Sequence, residues 1–161
     1  MRHLDSARRT MWIQRVCGHG ASFWFKGDPP FCSDTSHMFF VLGKVDKEHF
    51  LMVNATSQVS TRLHHLSQKV RRFELTAQDV SVKLSRGSHS FISKDTVIDC
   101  SEPFQLNADD LINGEKFALF DDPPSPQFFA PLLKAWAASP FTSVAHLETV
   151  RLQWSSHGIT F

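Results

Sequence analysis

Two apolar runs separated by four polar residues constrain this chain most. "HMFFVLGKV" spans residues 37 to 45 and "FLMVNAT" spans residues 50 to 56. Each is a compact apolar run bounded by polar residues, which suits a buried strand. The polar "DKEH" between them reads as a turn, so the two strands form an antiparallel hairpin. The second strand runs straight into "NATSQVSTR", so polar side chains gather where it ends. In an antiparallel pair the start of one strand sits beside the end of its neighbour. His37 is therefore expected near Asn54, Thr56 and Ser57.

The order of elements then sets the fold class. "VSVKL", residues 80 to 84, alternates cleanly and reads as a third strand. "RGS" is a turn signal, and "SFI" with "DTVIDC" supplies a fourth strand with a bend at Ser93 and Lys94. Residues 58 to 72 are ambiguous: Leu63, Leu66 and Val70 have helical spacing, while His64, His65, Lys69, Arg71 and Arg72 make this the most basic stretch. "NADDLING" has an Asn cap, two acids in its first turn and Gly114 at its stop, which predicts a short helix. After "DDPPSP" the texture changes. Phe128, Leu132, Leu133 and Trp136, then Val144, Leu147, Val150 and Leu152, predict helices. Strands first and helices last indicate a mainly β, α+β domain rather than the βαβ alternation of a dinucleotide-binding chain. At 161 residues the expectation is one domain. Residues 1–36 would form an N-terminal arm and loop, 37–106 the strand core, and 107–161 a helical C-terminal part.

Composition narrows the function classes. A hydrophobic fraction of 42% supports a real core, and a formal net charge of +1 gives no polyelectrolyte signature. Any nucleic-acid contact must then come from a local patch. Three cysteines, Cys17, Cys32 and Cys100, with no CxxC fit a reducing, cytoplasmic setting better than a disulfide scaffold. No run approaches the ~20 apolar residues of a spanning helix. The basic start "MRHLDSARRTMWIQ" has no apolar signal core. There is no GxGxxG, GxxxxGK[ST], GxSxG or HExxH. No cofactor is expected. Cys17-x-His19 and Cys32-x4-His37 offer four soft ligands, but the spacing matches no standard zinc finger.

The candidate chemistry gathers in "RGSHSFISKDTVIDC", residues 86 to 100, and in "NATS", residues 54 to 57. His89 is a general acid or base candidate near neutral pH. Lys94 is placed to stabilise the charge of a pentacoordinate phosphate. Thr56 and Ser57 present hydroxyls able to orient a phosphate. Each has a plainer structural reading: a strand-end turn for "NATS", a turn cap for His89, a solvated edge charge for Lys94. His37, Asn54, Arg62 and Arg86 are candidate RNA contacts on the same rim.

"HMFFVLGKVDKEHFLMVNATS", followed some thirty residues later by "GSHSFISKDTVIDCSEPFQL", resembles the PemK/MazF-like toxins of bacterial toxin–antitoxin pairs, over roughly residues 37 to 106. The resemblance implies a small twisted antiparallel SH3-like barrel with C-terminal helices. It also implies metal-independent endoribonuclease activity on RNA, a homodimer, and a cognate antitoxin protein lying across the RNA groove. Only Thr56 and Ser57 match the family's strand-end hydroxyl position. The family's RGD/E-like first strand and RP dipeptide are missing here. Its catalytic Arg is therefore unassigned, with Arg62 and Arg86 as candidates. A competing expectation is a non-catalytic module that binds protein or nucleic acid, with Phe23, Trp24, Phe128 and Phe129 as an interface.

Overall fold

The computed structural model describes residues 1–26 and 35–161. The chain is a mixed α+β protein. In order it runs β1 (Arg2–His3), α1 (Ser6–Arg15), β2 (Ser22–Lys26), β3 (His37–Lys44), β4 (His49–Thr56), α2 (Val59–Val70), β5 (Ser81–Leu84), β6 (Thr96–Asp99), β7 (Phe104–Asn107), α3 (Ala108–Asn113), β8 (Glu115–Leu119), α4 (Pro126–Ala138) and α5 (Val144–Ser155). Among the described residues, all strand pairings are antiparallel, in the order β1-β8-β2-β3-β4-β6-β5 with β7 also on β4.

The predicted hairpin is the spine of the sheet. Phe40 pairs with Val53 and Val41 with Met52. Successive side chains on a strand point to opposite faces. Phe39, Val41, Phe50 and Met52 enter one core with Ile13 of α1, Leu111 of α3 and Phe117 of β8. Phe40, Leu42, Leu51 and Val53 enter a second core with Phe129, Leu133 and Trp136 of α4 and Val150 and Trp154 of α5. Both faces of the hairpin are covered, which is why its sequence reads as continuous apolar runs instead of alternating ones.

A β-bulge between Val41 and Gly43 breaks the β3–β4 register. A bulge leaves backbone groups without a ladder partner, and α5 supplies the replacements. The Trp154 indole N–H donates to the Leu42 carbonyl at 2.6 Å. Gln153 accepts from the Lys44 N–H at 2.9 Å and donates to the Lys44 carbonyl at 2.6 Å. Gly43 makes this approach possible: a Cβ there would lie 2.8 Å from both Val150 and Gln153.

The ladders do not close the sheet into the expected barrel. β7 takes the first half of β4, with His49 opposite Asn107, while β6 takes its last two residues, with Thr56 opposite Val97. β4 therefore splits the sheet into two branches. The chain then leaves β7 directly into a helix. Asn107 accepts from the Asp110 N–H at 2.8 Å, and Asp110 accepts from the Asn107 N–H at 3.0 Å, a reciprocal cap that ends the strand. Leu111 of α3 and Ile13 of α1 fill the inside of the curl.

The N-terminal segment is more than an arm. β2 lies between β8 and β3, with Trp24 opposite both Met38 and Ala118. Phe23, Phe128 and Phe129 are buried in the two cores and present no interface. The ambiguous basic stretch is helix α2, which buries Leu66 and Val70 against Ala77 and Val80. "SFI" is a turn rather than part of a strand, and the strand begins at Thr96.

Candidate functional site

The hairpin register brings the first residues of β3 and the last of β4 to one end of the sheet, with Phe39 opposite Asn54. The Thr56–Val97 pairing brings the start of β6 to the same end. These three strand ends and the loop before β6 enclose an open cleft of about 360 Å³. His37, Thr56, Ser57, Ser93, Lys94 and Thr96 supply polar walls, and Trp24, Met38 and Phe91 supply apolar ones.

Local hydrogen bonds hold Thr56 and the loop that carries Lys94 in place. The Thr56 hydroxyl oxygen accepts from the Gln58 N–H at 3.2 Å where the chain turns into α2. The Thr96 hydroxyl donates to the Lys94 carbonyl at 2.8 Å and fixes the bend that presents Lys94. The Asp95 carboxylate accepts from the Arg86 N–H at 2.9 Å, and the Gly87 N–H donates to the Ile92 carbonyl at 2.8 Å, closing the loop on itself. Gly87 sits at φ +77°, a left-handed turn position that glycine adopts without strain.

His37 is half-buried, and desolvation lowers its pKa from the ordinary 6.5. Its imidazole is neutral at pH 7 and able to accept a proton. Lys94 and Ser57 are exposed, and Thr56 is half-buried. The cleft therefore combines a neutral base, an ammonium group and several hydroxyls in a partly dry setting.

His37, Thr56, Ser57 and Lys94 thus line one space. His89 does not line it. Its ring stacks on Phe91 at 5.3 Å and 30° and meets Phe128 edge-on at 5.1 Å. It joins the loop to α4. Asn54 lies on the ladder opposite Phe39, short of the cleft. Arg62 lies on α2 and faces Asp99 at 3.7 Å. Arg86 is exposed in the turn. Part of the basic α2 face is likewise paired: Lys69 contacts Ser101 and Glu102.

Trp24, Phe91 and Thr96 were not foreseen in the cleft. In β2, Phe23 and Phe25 share one face and Trp24 takes the other, which turns Trp24 toward the cleft. Cys17 is buried, which pushes its thiol up to about 12, and Cys32 lies outside the described residues. Among the described residues no three His, Cys, Asp or Glu side chains cluster as metal ligands, and no helix is long and apolar enough to cross a membrane.

Comparison of the chain with family models, curated proteins and solved structures found no match.

Proposed function

We propose that this chain is a toxin-like endoribonuclease of the PemK/MazF-like kind, acting in the cytoplasm and held in check by an antitoxin protein. In this reading the curled sheet is an opened form of the small SH3-like barrel. The observation that carries the proposal is the gathering of His37, Thr56, Ser57 and Lys94 in one cleft from three separate strand ends.

The nucleophile is the substrate's own 2′-hydroxyl. His37 takes its proton as the 2′-oxygen bonds to the adjacent phosphorus. Lys94 stabilises the charge of the pentacoordinate phosphate. Thr56 and Ser57 donate to its oxygens and hold it for in-line attack. The bond to the 5′-oxygen breaks, that oxygen takes a proton from water, and a 2′,3′-cyclic phosphate remains. His37 takes the acid–base role rather than His89 because it lines the cleft.

The second reading is a non-catalytic module that binds protein or nucleic acid. It is favoured by the packing of His89 against Phe91 and Phe128, away from the cleft. Inducible expression of the wild type beside His37→Ala and Lys94→Ala, with growth and total RNA followed, decides between them. Growth arrest with RNA cleavage, relieved by both substitutions at equal protein level, supports the enzyme. A harmless wild type with intact RNA removes the enzyme and leaves the module.

A further inference from the structure

A second chamber of about 360 Å³ adjoins the cleft and shares Trp24, Phe91 and Ser93 with it. We propose that this chamber is a nucleobase subsite that selects guanine through the Asp122 carboxylate. The inference rests on the RNA reading above and adds a base specificity to it.

The two spaces have opposite chemistry. The cleft carries Lys94 and hydroxyls, which suit a phosphate. The chamber carries Trp24, Phe91 and Phe120 with Ser90, Asp121 and Asp122, and the Met1 ammonium at its wall pairs with Asp121. One ammonium faces two carboxylates, so the chamber stays net negative at Asp122 and does not suit the phosphodiester backbone. Aromatic faces beside a carboxylate suit a flat, uncharged ring with N–H donors on its edge.

The aromatic walls are fixed before any ligand arrives. Phe91 packs against Phe120 at 5.0 Å, and Trp24 against Phe120 at 5.6 Å. His89 stacks on Phe91 at 5.3 Å, which gives this histidine a role outside the cleft. A platform held by its own packing costs little to order on binding. Trp24 and Phe91 are only half-buried, so each keeps surface for a base.

Asp122 sets the edge chemistry. The Ser90 hydroxyl donates to one of its oxygens at 3.1 Å and orients the group. The carboxylate retains further acceptor capacity. Guanine presents two adjacent donors, N1–H and the 2-amino group, to a carboxylate. Adenine and cytosine present one amino group, and uracil presents a single N3–H.

Four single-stranded 2′-O-methyl hexamers test the assignment. Each is all-uridine except for one central guanine, adenine, cytosine or uridine, and the blocked hydroxyls cannot attack. Fluorescence anisotropy is read on the full chain and on Asp122→Asn. The ratio is the readout, because removing a negative charge raises affinity for every RNA. The wild type is expected to bind the guanine hexamer about tenfold tighter than the uridine one. In Asp122→Asn the four are expected to converge within about threefold. RNA binding with no guanine preference, or a preference that survives Asp122→Asn, overturns the subsite and leaves the RNA reading standing. No binding of any hexamer overturns both.

Discussion

The β3–β4 hairpin is dry at its middle and wet at one end, and the two regions are built by different rules. In the middle, Phe40, Val41, Met52 and Val53 have no exposed surface. There the cost of ordering the chain is met by area removed from water, at roughly 25 cal/mol per Å² of apolar surface. Within a few residues along the same strands the lining becomes His37, Thr56 and Ser57, and the loop before β6 adds Lys94. Thr56 and the Lys94 bend are held by short-range hydrogen bonds, and Ser57 and Lys94 are exposed. The middle should therefore tolerate no loss of volume, while the end should tolerate truncation in stability and fail in function.

The largest expected effect tests the first half of that comparison. Phe129 is fully buried in α4 and packs on Phe40 and Trp154. Phe129→Ala removes a whole ring from a core that cannot collapse around it, at a cost of about 3–5 kcal/mol. Urea unfolding measures this. A loss under about 1 kcal/mol would mean that α4 is not a true part of the core.

The second half is tested at Lys94 and His37. Lys94→Ala is expected to slow RNA cleavage about a hundredfold or more, and to shift stability by no more than about 0.5 kcal/mol, since Lys94 is exposed. If His37 is the base proposed above, the wild-type rate should fall with pH on an acid limb below the ordinary histidine value of 6.5, because burial lowers its pKa. His37→Ala should abolish that limb along with most of the rate. Single-turnover cleavage across pH reads both effects. An acid limb that survives in His37→Ala assigns the base elsewhere.

A further substitution sharpens the boundary between the regions. Gln153 serves two backbone groups of Lys44 next to the bulge. Gln153→Ala leaves both to whatever water can reach them, at a cost of about 1–3 kcal/mol. Gln153→Glu keeps the acceptor and loses the donor, so it should fall between wild type and alanine. Equal stability of all three would mean that water replaces the side chain fully.

The same contrast explains what could be read from the sequence. The hairpin was legible because both faces of it are buried, and that writes an unbroken apolar run. Helix α3 was legible because Asn107 and Gly114 mark its ends locally. β8, "EKFAL", and β2, "SFWFK", leave no such mark: both are short, and they pair with each other from distant parts of the chain, Phe23 with Leu119 and Lys26 with Glu115. Nothing local distinguishes such segments from loop. The closed barrel failed for a related reason: the decision to leave β7 for a helix lies in the cap at Asn107, and the cap was read without its consequence for the sheet. At the site, residues tied by hairpin register fell together as expected, since Thr56 and His37 follow from strand pairing. His89 did not, because a loop residue's direction is set by partners such as Phe128, which is nearly forty positions away in sequence.

The smallest expected effect concerns a pair of histidines far from the cleft. The Nε2 atoms of His19 and His157 lie 3.1 Å apart, and both rings lean on Trp154. Burial first, and His157 second, lower the pKa of His19 from 6.5. Above pH 6.5 the ring is neutral in the folded and unfolded chain alike, so folding has nothing to lose there. As the pH falls below 6.5 the unfolded chain binds the proton first, and stability declines until the lowered folded pKa is passed. His37 adds to the decline in the same window. Asp46 and Asp79, whose carboxyls are held below 3.8 by hydrogen bonds, act only in more acid solution. His157→Gln removes the neighbouring charge but not the burial. The fall in Tm between about pH 7.5 and about pH 5 should then become shallower without vanishing. An unchanged slope would mean that the two rings do not sense each other's charge, and that the C-terminal end of α5 is joined to the α1–β2 loop by packing on Trp154 alone.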